Sequence, residues 1–364
     1  MNEQYHKIAD YFLDLCNEHK EKSREVPIFM HHRIDGDCLG SAVALATALK
    51  LLSWKPVVVL ADPIPDNLKF MGIDESLCRL YSASDFSSSP DSLPVAVAVD
   101  CSDAGRMSLP GEWFSQAEKK IIIDHHVTGG SSEGWKLVDV RASSTAEMIY
   151  NILKRFQDKT GLSFFDTKTA NLLMVGIQSD TGRFSYQNTT PEAFRCAADL
   201  MEHGANVYIN GFHLFEETDS STLKLTYEAL ANAQFFADGK IVMTVVTRSM
   251  LLTYDVPEES VDGLVSTLRG VRGVLVSIVI RETKKGDLRV NVRSNEPFAA
   301  SDFAEQFGGG GHLRSAGFTV MDSTVETVSE QIVDRAVAYI QELSFTTQNQ
   351  NQNQNQQSGK KHHE

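Results

Sequence analysis

The stretch Val26-Pro27-Ile28-Phe29-Met30-His31-His32-Arg33-Ile34-Asp35-Gly36-Asp37 runs a short apolar segment directly into a cluster of imidazoles and carboxylates. Its first five residues read as a strand, and residues 40–52 follow as an apolar helix. The alternation continues to His126, with Val57-Val58-Val59-Leu60, Val95-Ala96-Val97-Ala98-Val99 and Ile121-Ile122-Ile123 as further strands. These runs are continuously apolar rather than alternating, the pattern of strands buried on both faces of a parallel sheet covered by helices. The expected fold is α/β, with a doubly wound parallel-sheet first domain.

Downstream, Ser144 and Glu147 form an S-x-x-E capping signal for a helix reaching about residue 157. Residues 167–178 and 192–203 read as two more helices, the latter stopped by Gly204. After Asn210 the pattern changes. A connecting helix over 221–235 leads to strands at 241–246, 274–281 and 288–293, the last two joined by the hairpin-like Lys284-Lys285-Gly286-Asp287. A chain of 364 residues suits two domains of roughly 150 residues each. The expected division is 1–205 for the first domain, 206–225 for a helical linker, 226–345 for a smaller α/β domain, and 346–364 for a disordered Gln/Asn-rich tail. That tail has nothing apolar to bury, and His362 and His363 read as part of it rather than as a metal site.

Composition narrows the function classes. No apolar run approaches the roughly 18 residues of a membrane span, so no membrane partner is expected. Met1 to His6 carries no basic segment leading into an apolar stretch, which makes the cytoplasm the expected compartment. A net charge of −14 argues against coating a long nucleic acid by bulk electrostatics, so a nucleic-acid partner would be short or locally gripped. Cys16, Cys38, Cys78, Cys101 and Cys196 are odd in number and lack a C-x-x-C pair; they read as reduced and structural.

Chemistry concentrates at strand ends. The first strand runs into His31, Asp35 and Asp37, a later one ends at Asp100, and the next at Asp124-His125-His126. The carboxyl ends of parallel strands share one edge of the sheet, where ligands bind, so these clusters converge. Asp180, in Gly176-Ile177-Gln178-Ser179-Asp180-Thr181-Gly182, adds a fourth contribution from a helix end. The mixture is too rich in oxygen for structural zinc and suits Mn²⁺, with Mg²⁺ or another divalent ion also admitted. Alone, Asp35-Gly36-Asp37 reads as a turn capping the next helix, and a histidine doublet as a polar strand end. Their coincidence with two further clusters favours metal. The chain has no P-loop, no dinucleotide-binding glycine fingerprint and no nucleophile elbow, which removes support for ATPase, dehydrogenase and serine hydrolase readings.

In the second domain, Gly308-Gly309-Gly310-Gly311-His312 reads either as a flexible loop or as a backbone cradle for an anion. Residues 263–320 carry a net +3 inside this acidic chain, which favours a phosphate-bearing substrate.

In motif order, and across nearly the whole chain before the tail, His31-x-x-x-Asp35-x-Asp37, Asp100, Asp124-His125-His126 and Gly308–His312 resemble the DHH/DHHA1 phosphoesterases. The size is most similar to their bifunctional oligoribonuclease/PAP phosphatase, or nanoRNase A, type. The resemblance implies that His31, Asp35 and Asp100 hold one ion, and Asp37, Asp100, His125 and Asp180 a second, with Asp100 bridging. It further implies that His126 faces the scissile phosphate, that Asp124 supports it, and that Arg293, Ser294, Gly309, Gly310, Gly311 and His312 bind substrate. Ile34 stands where many relatives carry proline, a change in loop stiffness rather than in ligands. The implied activity is that of a phosphodiesterase using two Mn²⁺ per chain to trim very short single-stranded RNA to mononucleotides, extending to 3′-phosphoadenosine 5′-phosphate (PAP). Linear or cyclic dinucleotides as substrates stay open, as do a non-catalytic nucleotide sensor and a homodimer. The filled ligand set weighs against the sensor, and the glycine run against a pyrophosphatase.

Overall fold

In a computed structural model, which describes residues 3–19, 25–82, 93–126, 134–261 and 263–360, the quoted apolar run becomes strand β1 (Glu25–Phe29). Around it lie β2 (Lys55–Leu60), β3 (Cys78–Leu80), β4 (Val95–Val99), β5 (Lys119–Asp124) and β6 (Trp135–Val138). Their order is β3-β2-β1-β4-β5-β6 and every pairing is parallel. The sheet grows outward from β1 on one side, then resumes on the other side with β4. The switch point between β1 and β4 is where such sheets open a ligand crevice.

The continuous apolar runs have a direct cause. Val95, Val97, Val99, Ile121 and Ile123 face a core built with α1 (Glu3–His19), α2 (Gly36–Leu51), α4 (Thr145–Thr160) and α5 (Thr167–Asp180). Ala96, Ala98 and Ile122 face the opposite core, with Trp113 and Phe114 of the short α3 (Pro110–Ser115). Glycines let α2 and α5 approach closely. A Cβ at Gly40 would collide with the Leu172 carbonyl, and one at Gly36 would lie 2.9 Å from Ser179 Cβ. Helices α6 (Pro191–Glu202) and α7 (Val207–Phe215) complete the first unit, Met1–Glu217.

The second unit, Thr218–Glu364, holds α8 (Ser220–Ala231), β7 (Gln234–Phe236), β8 (Ile241–Val246), α9 (Arg248–Tyr254), α10 (Leu264–Arg269) and β9 (Val276–Glu282). It continues with β10 (Leu288–Ser294), α11 (Ala300–Glu305), β11 (Gly310–His312), β12 (Ser315–Val320) and α12 (Val325–Lys360). The sheet order is β11-β12-β10-β9-β8-β7, and β8–β9 is its parallel pair. One face packs on α11 and α12, the other on α8, α9 and α10.

Three expectations change. The segment 206–225 is not a separate linker: α7 packs within the first unit, and α8 begins at Ser220 and stops at Ala231. The glycine run does not end in a loop, because Gly310–His312 pairs antiparallel with β12. Close approach explains two of its glycines, since a Cβ at Gly311 would lie 2.5 Å from the Ser315 carbonyl oxygen and one at Gly309 would overlap Gly317, and Gly308 takes a left-handed φ of 72°. Finally, α12 continues through Lys360, well into the expected disordered tail. Gln is a good helix former, and extending an existing helix is far easier than starting one. The tail histidines His362 and His363 lie outside the described residues. No described helix is long and apolar enough to cross a membrane.

Candidate metal centre

Each candidate ligand owes its position to an element end. His31 follows β1 and Asp35 caps α2, its Oδ1 accepting from the Asp37 and Cys38 N–H groups at 3.0 Å. Asp37 lies in the first turn of α2 and is fully buried. Its carboxylate sits on the N-terminus of α4, accepting from Thr145 N at 2.7 Å and Ala146 N at 2.8 Å. There the unsatisfied N–H groups and the helix dipole favour negative charge. Gly176 makes room for this arrangement, since a Cβ there would lie 2.8 Å from Asp37 Oδ1.

Asp100 ends β4 with φ of 56°, a left-handed conformation uncommon outside glycine, and its N–H donates to Ile123 O at 2.8 Å. Thr145 Oγ1 donates to its Oδ1 at 3.0 Å. His31 Nε2 approaches Asp100 Oδ2 at 3.2 Å and Asp35 Oδ2 at 3.6 Å. His125 Nε2 lies 2.9 Å from Asp180 Oδ2, 3.5 Å from Asp100 Oδ1 and 3.9 Å from Asp37 Oδ2. Asp100 thus touches both the His31 group and the His125 group.

The second histidine of the doublet is held differently. His126 Nδ1 lies 2.7 Å from Asp124 Oδ1 and 3.3 Å from Asp100 Oδ1, and its backbone N–H donates to Asp124 Oδ1 at 3.0 Å. The other oxygen of Asp124 takes the Ser102 hydroxyl. Asp124 is fully buried and holds His126 by its ring Nδ1 and its backbone N–H together.

The electrostatics are those of buried carboxylates and imidazoles crowded together. Burial, reinforced by Asp180 and Asp100, pushes Asp37 well above the usual carboxylate range, and burial raises Asp180 to about 6. Against the cost of burial, Asp180 raises His125 to about 10, while hydrogen bonds from His126 and His31 hold Asp100 low. No Lys or Arg pairs with these carboxylates among the described residues. His125 Nε2 is buried yet makes no aligned hydrogen bond there, and Asp37, His125 and Asp180 offer donor atoms within 4.8 Å of one another. Once its proton is displaced, an imidazole nitrogen aimed into oxygen donors is a ligand set for a divalent cation, so the residues fit such an ion.

A family model for the DHH N-terminal domain matches residues 25–177, and one for the DHHA1 domain matches 238–342. A Thermus thermophilus protein named bifunctional oligoribonuclease and PAP phosphatase NrnA is 30% identical over 326 residues, covering 86% of this chain and 90% of its own. The chain belongs to the DHH phosphoesterases. A Bacillus subtilis relative of the same name is 26% identical, covering 80% of this chain and 87% of its own. The crystal structure of an exopolyphosphatase-related protein from Bacteroides fragilis shares the fold, with a TM-score of 0.79 at 22% identity, over 90% of this chain and 96% of that one. This DHH/DHHA1 chain is therefore a divalent-metal-dependent hydrolase of phosphoester bonds.

Sequence reasoning missed parts of the DHH site. Thr145, the N–H groups of Thr145 and Ala146, and Ser102 support the carboxylates, and Cys38 offers a sulfur beside His31 and Asp35. In the DHHA1 unit, Arg293 is half-buried and donates to Val292 O at 3.1 Å. Ser294 is buried, with a hydroxyl that has no partner among the described residues. Gly310 has nothing within 4 Å of its Cβ position, whereas Gly309 and Gly311 are packed against β12. The side chain of His312 lies outside the described residues.

Proposed function

We propose that this phosphoesterase is a Mn²⁺-dependent exoribonuclease that trims very short oligoribonucleotides to mononucleotides and also hydrolyses PAP. The reading is carried by the convergence of His31, Asp35, Asp37, Asp100, His125 and Asp180 in a chain whose T. thermophilus relative bears that name along most of its length. In this assignment His31, Asp35 and Asp100 hold one ion, and Asp37, Asp100, His125 and Asp180 hold a second. Divalent ions held there supply Lewis-acid chemistry for phosphoester hydrolysis.

The remaining work falls to the chain's own groups. The α4 N-terminus and Thr145 Oγ1 fix the Asp37 and Asp100 carboxylates, so neither must reorganise when substrate arrives. Asp124 holds His126 by Nδ1, and Nε2 is the atom assigned to the scissile phosphate, where it neutralises charge or passes a proton to the departing oxygen. Arg293, Ser294, Gly309, Gly310, Gly311 and His312 are assigned to substrate holding, with arginine matched to phosphate oxygens. A grip built from so few groups favours short oligonucleotides and PAP over long duplexes. None of the five cysteines forms a disulfide among the described residues, which suits a reducing cytoplasm.

The deciding experiment assays purified protein with Mn²⁺ against di- to decaribonucleotides, PAP, cyclic dinucleotides and pyrophosphate. Fastest turnover of the shortest ribonucleotides, with PAP hydrolysed, supports the assignment. Preference for pyrophosphate or a cyclic dinucleotide overturns it, and binding without hydrolysis of any substrate identifies a sensor.

A further inference from the structure

The turn that follows Asp180 is contorted. Gly182, Arg183 and Phe184 have φ values of 53°, 60° and 62°, three successive residues in the left-handed region. Two are not glycine, and such residues persist only where their surroundings enforce the conformation. The enforcement is visible within the turn. Arg183 N donates to Gln178 O at 2.8 Å and Phe184 N to Thr181 Oγ1 at 3.0 Å, while Ser185 N and Tyr186 N both reach Thr181 O. Gly182 lies flat against the Tyr186 ring, where a Cβ would overlap it, and Asn188 Nδ2 donates to Asp180 O at 3.1 Å.

The Arg183 side chain carries this turn outward to α7. Its guanidinium pairs with Glu216 and sits 5.5 Å from the centroid of the Phe215 ring. Along the way its Cδ passes Gly211, where a Cβ would come within 3.3 Å. Gln178, two residues before Asp180, is tied to the same helix through Nε2 to Val207 O at 3.1 Å. The outer end of α7 therefore anchors a strained turn whose inner end presents Asp180 Oδ2 at 2.9 Å from His125 Nε2. Glu216 and Glu217 are also the last residues of the first unit.

We propose that Arg183 is a positioning residue that sets the affinity of the metal centre by holding Asp180 in place through the 181–186 turn. The proposal rests on the reading of Asp180 as a ligand. With the clamp removed, only the hydrogen bonds within the turn oppose relaxation of two left-handed non-glycine residues, and the end of α5 gains freedom to turn the carboxylate away from His125. Residues that orient ligands from outside the coordination sphere contribute 10- to 100-fold to metal affinity. A half-exposed ion pair with an aromatic contact belongs at the lower end of that range.

The test titrates metal-free full-length protein with Mn²⁺, following free Mn²⁺ by electron paramagnetic resonance, with a thermal melt of each variant as a check on folding. Asp180→Ala should weaken Mn²⁺ binding. Arg183→Ala and Glu216→Gln should each weaken it by about tenfold, the double variant no more than Arg183→Ala alone, and Arg183→Lys should recover part of the loss. In the Asp180→Ala background, Arg183→Ala should change nothing further. Unchanged Mn²⁺ affinity in Arg183→Ala, or a loss that adds to that of Asp180→Ala, overturns the proposal. Unchanged affinity in Asp180→Ala itself instead overturns the ligand assignment on which it rests.

Discussion

Replacing Gly176 with Ala tests whether close helix packing builds the metal centre. The residue lies mid-way along α5, and a Cβ there would fall 2.5 Å from Ala146 Cβ and 2.8 Å from Asp37 Oδ1. Carbon pairs settle at about 3.5–4.0 Å, so roughly 1 Å of separation has to be found between α5 and the α4–Asp37 pair. In an open helix the same change would gain about 1 kcal/mol from the better propensity of Ala. Overpacking costs about 1–3 kcal/mol and occasionally more. Overpacking should win here because neither neighbour is a flexible chain end: Ala146 is in the first turn of α4, and Asp37 is bonded to that turn at 2.7 and 2.8 Å. The difference is a net loss of up to about 2 kcal/mol, a fall of up to roughly 8 °C in Tm for a unit of this size. Melting of the metal-free protein gives the stability, and a Mn²⁺ titration should show weakened binding, because displacing Asp37 from the α4 N-terminus disturbs a ligand. Gly263→Ala is the control: its backbone is helical at φ −71°, nothing lies within 4 Å of its Cβ position, and it should match or slightly exceed the parent in stability. Gly176→Ala protein that melts at or above the parent temperature with unchanged Mn²⁺ affinity would refute the packing argument.

Asp100 touches both ligand groups, so Asp100→Ala should lose both ions together; elemental analysis showing undiminished metal with full activity would remove it from the centre. His126→Ala should lose roughly 10²- to 10⁴-fold in kcat while keeping its metal, whereas His125→Ala should lose metal affinity. Equal metal loss in the two variants would end the division of labour between them. Arg293→Ala should weaken dinucleotide turnover by about 1.5–3 kcal/mol, or roughly 10- to 150-fold, as expected for a hydrogen bond to a charged group. Hydrolysis of bis-p-nitrophenyl phosphate should barely change, and a parallel fall in both activities would show that Arg293 does not grip substrate.

Which features could be read in advance follows from where their signals lie. Strands buried on both faces write themselves as unbroken apolar runs, and polar residues at the ends of such runs stand out; that is why β1, β4 and β5 and the ligand candidates beyond them were legible. The supports were not, because much of their chemistry is backbone. Ser144 and Glu147 marked the start of α4, but nothing in that signal says that its Thr145 and Ala146 N–H groups would meet Asp37, 108 and 109 residues away. Helix α1 did leave a readable trace. Tyr5, Ile8, Ala9, Phe12, Leu15 and Cys16 follow the spacing of one helical face, and all are buried. Strands β3 and β6 are three and four residues long at the sheet edges, too short to show a period. In the glycine run, composition speaks for loop and for tight strand pairing alike, and only the neighbouring β12 decides between them.

The proposed ligand set is spread along the chain from His31 to Asp180, which has a consequence for biosynthesis. At about 5–20 residues per second, a ribosome takes on the order of 10 s to pass from Asp37 to Asp180. Late in that interval the nascent chain carries Asp37, Asp100 and Asp124 but still lacks Asp180 at the end of α5. The nest of α4 N–H groups around Asp37 is made by residues 145 and 146, so even this carboxylate has no seat until β1 to β6 have been translated. On the proposed ligand assignment, metal capture follows the translation of α5. A chain terminated before Asp180 would lack the group that faces His125 and, on the proposed assignment, would hold the second ion less tightly.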